Sequence, residues 1–84
     1  MLRVAVISPE RTLYYGEATS VVAPAFDGEV GILTGHAPMV TLLGQGTLRL
    51  GGGKSYAVKG GFLQVVSNTV RVVAETVQGE SDAA

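Results

Sequence analysis

The chain has no cysteine, no tryptophan, one histidine and no apolar run approaching a membrane span. Without cysteine there is neither a disulfide frame nor a thiolate metal site, so the 84 residues must fold on a hydrophobic core alone. That length suits one domain and lies near the lower limit at which a core suffices. The lack of cysteine also fits a reducing compartment. A spanning helix needs ~20 consecutive apolar residues, so no direct membrane insertion is expected. The opening Met-Leu-Arg-Val-Ala-Val-Ile-Ser-Pro is too short and too strand-like for a signal peptide. Basic and acidic residues are scattered and nearly balanced, with a net charge of −1, which leaves no electrostatic footprint for nucleic acid. The few aromatics, Tyr14, Tyr15, Phe26, Tyr56 and Phe62, have no basic groove beside them for base stacking. Most are expected in the core, with the tyrosine hydroxyls at its edge.

What is abundant is apolar residues and glycine. Residues alternate at the period of a strand in Leu2-Val4-Val6, Val21-Ala23, Leu48-Leu50, Tyr56-Val58 and Val70-Val72. Breakers recur at short intervals: Ser8-Pro9, Gly16, Pro24, Asp27-Gly28, Gly35, Gly44 to Gly46, Gly51 to Gly53, Gly60-Gly61 and Ser67-Asn68. No segment carries a 3.6-residue stripe. Many short strands with glycine-rich turns predict an all-β chain, an antiparallel sandwich or barrel. Residues 1–77 form the predicted domain, and the small, acidic stretch 78–84 reads as a flexible tail. At 46% hydrophobic, the chain holds more apolar residues than so small an interior takes. Ile7, Val22, Leu33, Val66 and Val73 fall on second faces that would otherwise be polar, and contiguous exposed apolar patches mark interfaces.

Possible sites for chemistry are few. Gly51-Gly52-Gly53-Lys54-Ser55 resembles the end of a phosphate-binding loop, but that motif needs a glycine where Leu48 stands and a helix where Tyr56-Ala57-Val58 is strand-like. It is a hairpin tip. His36 has no Ser or Cys beside it in a nucleophile pattern, and only Asp27 and Glu29 lie close enough in sequence to join it at a metal. A turn histidine or a partner contact is the expected role. Asp27 and Glu29 read as an acidic loop tip rather than a catalytic pair, which needs a defined separation across a cleft.

Residues 28 to 38, Gly-Glu-Val-Gly-Ile-Leu-Thr-Gly-His-Ala-Pro, carry the most information. Asp27-Gly28 signals a turn, Val30 and Ile32 alternate as in a strand, and Pro38 rigidifies the exit while holding Ala37 extended. In order, this stretch resembles the signature of the epsilon subunit of F-type ATP synthases, in which a Gly-acid-apolar-Gly-Ile segment runs into Gly-His-Ala-Pro. Gly60-Gly61-Phe62-Leu63-Gln64-Val65, Asn68 and Val70 to Thr76 resemble that family's second block. Leu2 to Pro9, Leu13, Tyr14 and Gly16 fit its opening strands more loosely. The resemblance covers nearly the whole chain.

That resemblance implies an antiparallel β-sandwich of about ten short strands in two sheets. It implies a non-catalytic rotor subunit of a proton- or sodium-translocating synthase, joining the gamma subunit of the catalytic head to the loops of the c ring, without a cofactor. Its place would be peripheral, on the cytoplasmic face of the bacterial plasma membrane. Residue by residue, Leu13, Pro38 and Val40 match positions on an apolar face towards gamma, with His36 beside them, and Glu29 and Gly31 match the loop facing the ring. The family usually continues into a C-terminal helical hairpin, which carries inhibition of hydrolysis and, in some members, ATP binding. The sequence stops at Ala84 with no helix start before it, so neither activity is expected. Two other classes remain: a free-standing ligand- or carbohydrate-binding β-sandwich, and a small enzyme centred on His36.

Overall fold

The alternating segments become strands in the computed structural model, which describes residues 1–79. They are β1 (Leu2–Ile7), β2 (Thr12–Ala18), β3 (Ser20–Ala25), β4 (Gly28–Leu33), β5 (Met39–Leu42), β6 (Gln45–Leu50), β7 (Ser55–Val66) and β8 (Thr69–Gly79). The described residues contain no helix, in keeping with the missing 3.6-residue stripe. The strands form one continuous sheet in the order β2-β1-β8-β7-β6-β3-β4, with β5 also paired to β7.

The long β7–β8 hairpin is shared by two arms of this sheet. The first half of β7 pairs with β6, from Ser55 opposite Arg49 to Lys59 opposite Gln45. Its second half pairs with β5, from Phe62 opposite Leu42 to Val65 opposite Met39. β8 follows β7 along its length and adds β1 beside Thr69 to Val73. One arm therefore runs β5-β7-β8-β1-β2, and the other runs β8-β7-β6-β3-β4. Gly60 and Gly61 lie at the junction with φ of 73° and 101°, in the left-handed region. A Cβ on Gly61 would collide with the Val73 carbonyl oxygen and stand 2.8 Å from the Ala74 Cα. The corner is closed by backbone bonds: Leu43 N–H donates to Gly61 O (2.9 Å), Gly44 N–H to Pro24 O (2.8 Å) and Gly60 N–H to Gly44 O (3.2 Å).

Two details of the expected architecture change. The described residues form eight strands rather than about ten, because β7 runs straight through Gly60-Gly61. The glycines redirect the strand by adopting positive φ without ending it, and β8 bends alongside. The sheet is also mixed rather than purely antiparallel and is a single one, since β1 pairs with β8 in parallel, Arg3 beside Thr69 through Ile7 beside Val73. β1 is distant in sequence from β8, so no tight turn dictates its direction. β8 also takes in Gln78 and Gly79, opposite Ala57 and Tyr56, which the sequence assigns to the tail. The rest of the predicted tail lies outside the described residues.

The alternation sends one side chain in two inward. Leu2, Val4 and Val6 of β1 meet Leu63 and Val65 of β7, Val70 and Val72 of β8, and Val21, Ile32 and Leu48 of the other arm, all 0–1% exposed. Each such burial stabilises by roughly 1.5–3 kcal/mol. The aromatics do not follow expectation: only Tyr56 is buried, and Tyr14 packs at the core's margin with its hydroxyl donating to Glu17 O at 2.8 Å. Tyr15, Phe26 and Phe62 are exposed, because they fall on the outer face or at a turn.

The junction generates a sharp contrast between two glycines. Gly61→Ala should destabilise the fold by ~2 kcal/mol or more, through strained φ and the clash with Val73. Gly31→Ala meets nothing within 4 Å, and its φ lies outside the left-handed range, so it should stay within ~0.5 kcal/mol of the parent. Urea unfolding midpoints of the two variants decide the matter.

Candidate partner interface

The two arms differ in what they turn outward. On the β5-β7-β8-β1-β2 arm, cross-strand pairing lines up Leu42, Phe62, Val73 and Ile7 in one outer row. The next row is Val40, Gln64, Arg71, Ala5 and Tyr15, and the third holds Val66, Thr69, Arg3 and Glu17. Val40, Tyr15 and Leu42 are 69%, 67% and 61% exposed. Phe26, also exposed, joins this edge, since its N–H donates to Leu42 O at 3.0 Å. Across β6, β7 and β8 the outer rows of the other arm are polar, Gln78, Ala57 and Thr47 in one and Thr76, Lys59 and Gln45 in the next, and Leu33 stands exposed at its β4 edge. A contiguous apolar face on one arm only is the pattern of a surface meant to be covered.

The residues singled out from the sequence are distributed around this face rather than gathered in one place. Val40 stands on it, at the β5 edge. Pro38 is exposed just before β5, and His36 is half-buried in the same connection. Leu13 lies on β2 at the opposite edge, about 19 Å away at ~4.8 Å per strand, and packs against the core. It sits where the β1–β2 register shifts between Val6 and Ile7. Glu29 and Gly31 are exposed on β4, the edge strand of the other arm. Glu29 is 3.4 Å from Arg49 across β3, with both side chains more than half exposed. Such a pair contributes ~0–1 kcal/mol. Of the second-face residues expected from the sequence, Ile7, Val66 and Val73 lie on this face, whereas Val22 and Leu33 lie on β3 and β4 of the other arm; Leu42, Phe62, Tyr15 and Arg71 were missed.

The segment around His36 is held by its neighbours. Ser67 and Asn68 have φ of 49° and 62°, a two-residue turn that joins β7 to β8. The Asn68 side-chain oxygen accepts a hydrogen bond from Gly35 N–H at 2.7 Å, and His36 N–H donates to Leu33 O at 3.1 Å. His36 Nδ1 lies 2.7 Å from Ala37 O. A carbonyl can only accept, so Nδ1 carries the proton and the ring is oriented by local backbone. No carboxylate or hydroxyl joins this histidine in a catalytic arrangement among its hydrogen bonds. Among the described residues no cluster of His, Cys, Asp or Glu could hold a metal. Gly51 to Gly53 form the β6–β7 hairpin tip, closed by Leu50 N–H to Lys54 O at 2.9 Å. On the outer face, hydrogen bonding to Tyr15 raises the Arg3 guanidinium above its ordinary value, which keeps it charged throughout.

With this geometry in place, comparison with known proteins is direct. Residues 1–80 match the family model described as the ATP synthase delta/epsilon chain β-sandwich domain, and the chain belongs to that family. The ATP synthase epsilon chain of Syntrophomonas wolfei is 44% identical over 92% of this chain and 59% of its own length. That of Leptospira borgpetersenii is 47% identical over 88% and 61%. The chain thus spans about three fifths of these relatives. The epsilon chain of Frankia casuarinae is 43% identical, with 92% of this chain and 95% of that one covered. In fold, the chain superposes with a TM-score of 0.84 and 21% identity on a chain of the Euglena gracilis mitochondrial ATP synthase, covering 93% of this chain and 52% of that one. The corresponding figures for the Tetrahymena thermophila mitochondrial ATP synthase central stalk and c ring are 0.79, 16%, 93% and 66%.

The Gly35–Asn68 tether can be probed alone. Asn68→Gly keeps the positive φ and removes only the side-chain acceptor. Exchange of the Gly35 amide should rise on the order of tenfold while global stability changes by ~1 kcal/mol or less. Hydrogen exchange followed by NMR reads both.

Proposed function

We propose that the chain is the β-sandwich of an epsilon-type rotor subunit, a non-catalytic part of the central stalk of a proton- or sodium-translocating F-type ATP synthase. It joins the gamma subunit of the catalytic head to the c ring, so that ring rotation is transmitted to the head. The observation that carries this reading is the one-sided apolar face, Leu42-Phe62-Val73-Ile7 with Val40 beside it. It belongs to a domain whose family members are named for that complex. Val40, Pro38 and His36 would meet gamma at the β5 edge and Leu13 at the β2 edge. Glu29 and Gly31, on the far edge strand, would face the ring loops. Glu29 would then exchange its exposed Arg49 partner for a basic group on the ring, a small electrostatic change that favours orientation over affinity. The subunit would sit peripherally on the cytoplasmic face of the membrane; among the described residues no helix is long and apolar enough to cross one.

A ligand-binding module is less well supported. The hollow on the polar arm, lined by Gln45, Thr47, Lys59, Thr76 and Gln78, is an open depression on the strands rather than an enclosed pocket.

Two measurements test the reading. Val40→Asp should abolish co-purification with gamma while leaving the unfolding midpoint unchanged, since a charge buried unpaired at an interface weakens binding by several kcal/mol. Unchanged co-purification would remove this face from consideration. Calorimetric titration of the chain with MgATP should give no saturable heat, because the glycine-rich tip leads into β7 and not into a helix that could receive phosphate. A micromolar dissociation constant would contradict the assignment.

A further inference from the structure

The apolar outer face has a cation at its centre. Arg71 projects outward from β8 between Gln64 of β7 and Ala5 of β1, with Val73 and Thr69 above and below it on its own strand. It is exposed, and among the described residues the only ion pair is Glu29–Arg49, on the other arm. Of the carboxylates on this arm, Glu17 lies opposite Arg3, one row away, and Glu75 lies four residues further along β8 at the Gly60 corner. Arg71 also walls an open hollow of about 340 Å³, whose other sides are Ala5, Ile7, Thr12, Tyr15 and Thr69. Polar atoms of Thr12, Tyr15 and Thr69 and the apolar floor of Ala5 and Ile7 thus surround one unpaired guanidinium.

Covering this face strips water from the Arg71 guanidinium. A desolvated charge is tolerated only when it is paired. We propose that the hollow receives an acidic side chain of the partner, whose carboxylate is held by the Arg71 fork while the flanking Leu42-Phe62-Val73-Ile7 row excludes water. The proposal rests on the docking of gamma to this face and specifies how gamma is recognised. A second copy of this chain is a poor occupant. A two-fold contact presents the same patch from both sides, bringing Arg71 towards its own mate, while the nearest carboxylate, Glu17, already faces Arg3. A partner whose matching surface is apolar with one embedded acid satisfies both halves. Arginine and aromatic residues such as Tyr15 are the side chains that most often dominate interface energetics.

The test titrates the chain into the gamma-containing catalytic head that lacks this subunit, at low and high ionic strength. Arg71→Gln should weaken association ~30-fold or more at low salt and flatten its salt dependence. Arg71→Lys, which keeps charge without the fork, should fall between the two. Arg71→Glu should be rescued by one Asp→Lys or Glu→Lys change on the gamma surface. All these substitutions are on exposed positions, and unchanged unfolding midpoints confirm intact folding. If Arg71→Gln binds like the parent while Val40→Asp does not bind, the carboxylate assignment is wrong and the docking face stands. If Val40→Asp also binds like the parent, the face itself is wrong and the assignment falls with it. Failure of every gamma charge reversal to rescue Arg71→Glu likewise overturns it.

Discussion

The whole architecture depends on one long hairpin that must turn a corner without breaking. β7 and β8 serve both arms of the sheet, and the change of direction occurs at Gly60-Gly61, where the backbone adopts φ that side chains disfavour and Val73 comes too close for a Cβ. Had the ladder ended there, the arms would be joined only by loops, and a core this small would have to hold them together unaided. Running the hairpin through the bend instead makes every inward row continuous: Leu63 and Val72 on one side of the corner, Tyr56 and Val58 on the other, all in one cluster. The short Leu43–Gly44 link ties the outside of the bend to β3, so the corner is braced on both flanks.

A bent sheet of this kind has two outer faces, and the sequence treats them differently. The polar rows of β6, β7 and β8 keep one face wet. The rows through Leu42, Phe62, Val73 and Ile7 do not. The exposed apolar residues are therefore not a failure of burial but a second hydrophobic layer without its other half. Exposed strand edges are also managed. β5 is only four residues long and follows Pro38, and β4 carries Gly28, Glu29 and Gly31, with Leu33 at its end, on its exposed positions. Short edges and edge charges discourage pairing with other chains. Association is thereby directed to the face and away from the edges.

Much of this was legible in the chain itself. Period-2 alternation with glycine punctuation placed the strands, and Gly-Glu-Val-Gly-Ile followed by Gly-His-Ala-Pro pointed to the family that the comparison then showed. Two things were not legible, for definite reasons. A Gly-Gly pair looks like a terminator locally, and whether it ends a strand or bends it depends on what pairs on both sides, here β5, β6 and β8. The composition of the outer face was also hidden, because an outward residue gains meaning only from its cross-strand neighbours. Val40, Phe62 and Arg71 sit on three different strands, and only the register brings them to one surface. Leu13 shows the converse. Its apolar character is shared with the face, yet the bulge in β1–β2 turns it onto the core.

The task proposed for this chain is mechanical, and its polar groups are engaged locally. His36 donates its ring proton to a neighbouring carbonyl, Glu29 pairs loosely with Arg49, and no cluster of ligands or nucleophiles converges among the described residues. A coupling element needs instead a body that does not shear and surfaces that hold their partners. Sheet continuity supplies the first, since sliding one arm past the other would break backbone hydrogen bonds along the entire β7–β8 ladder at once. The second requires register as well as adhesion. An apolar face alone is non-directional and would let a partner slip along the rows of valine and leucine. In the proposed docking, Arg71 at the centre of the face would fix where an opposing acid lies, and the tethered Gly35-to-Pro38 corner would fix the border of the face. Apolar area would then supply the grip, and Arg71 with one rigid loop the alignment.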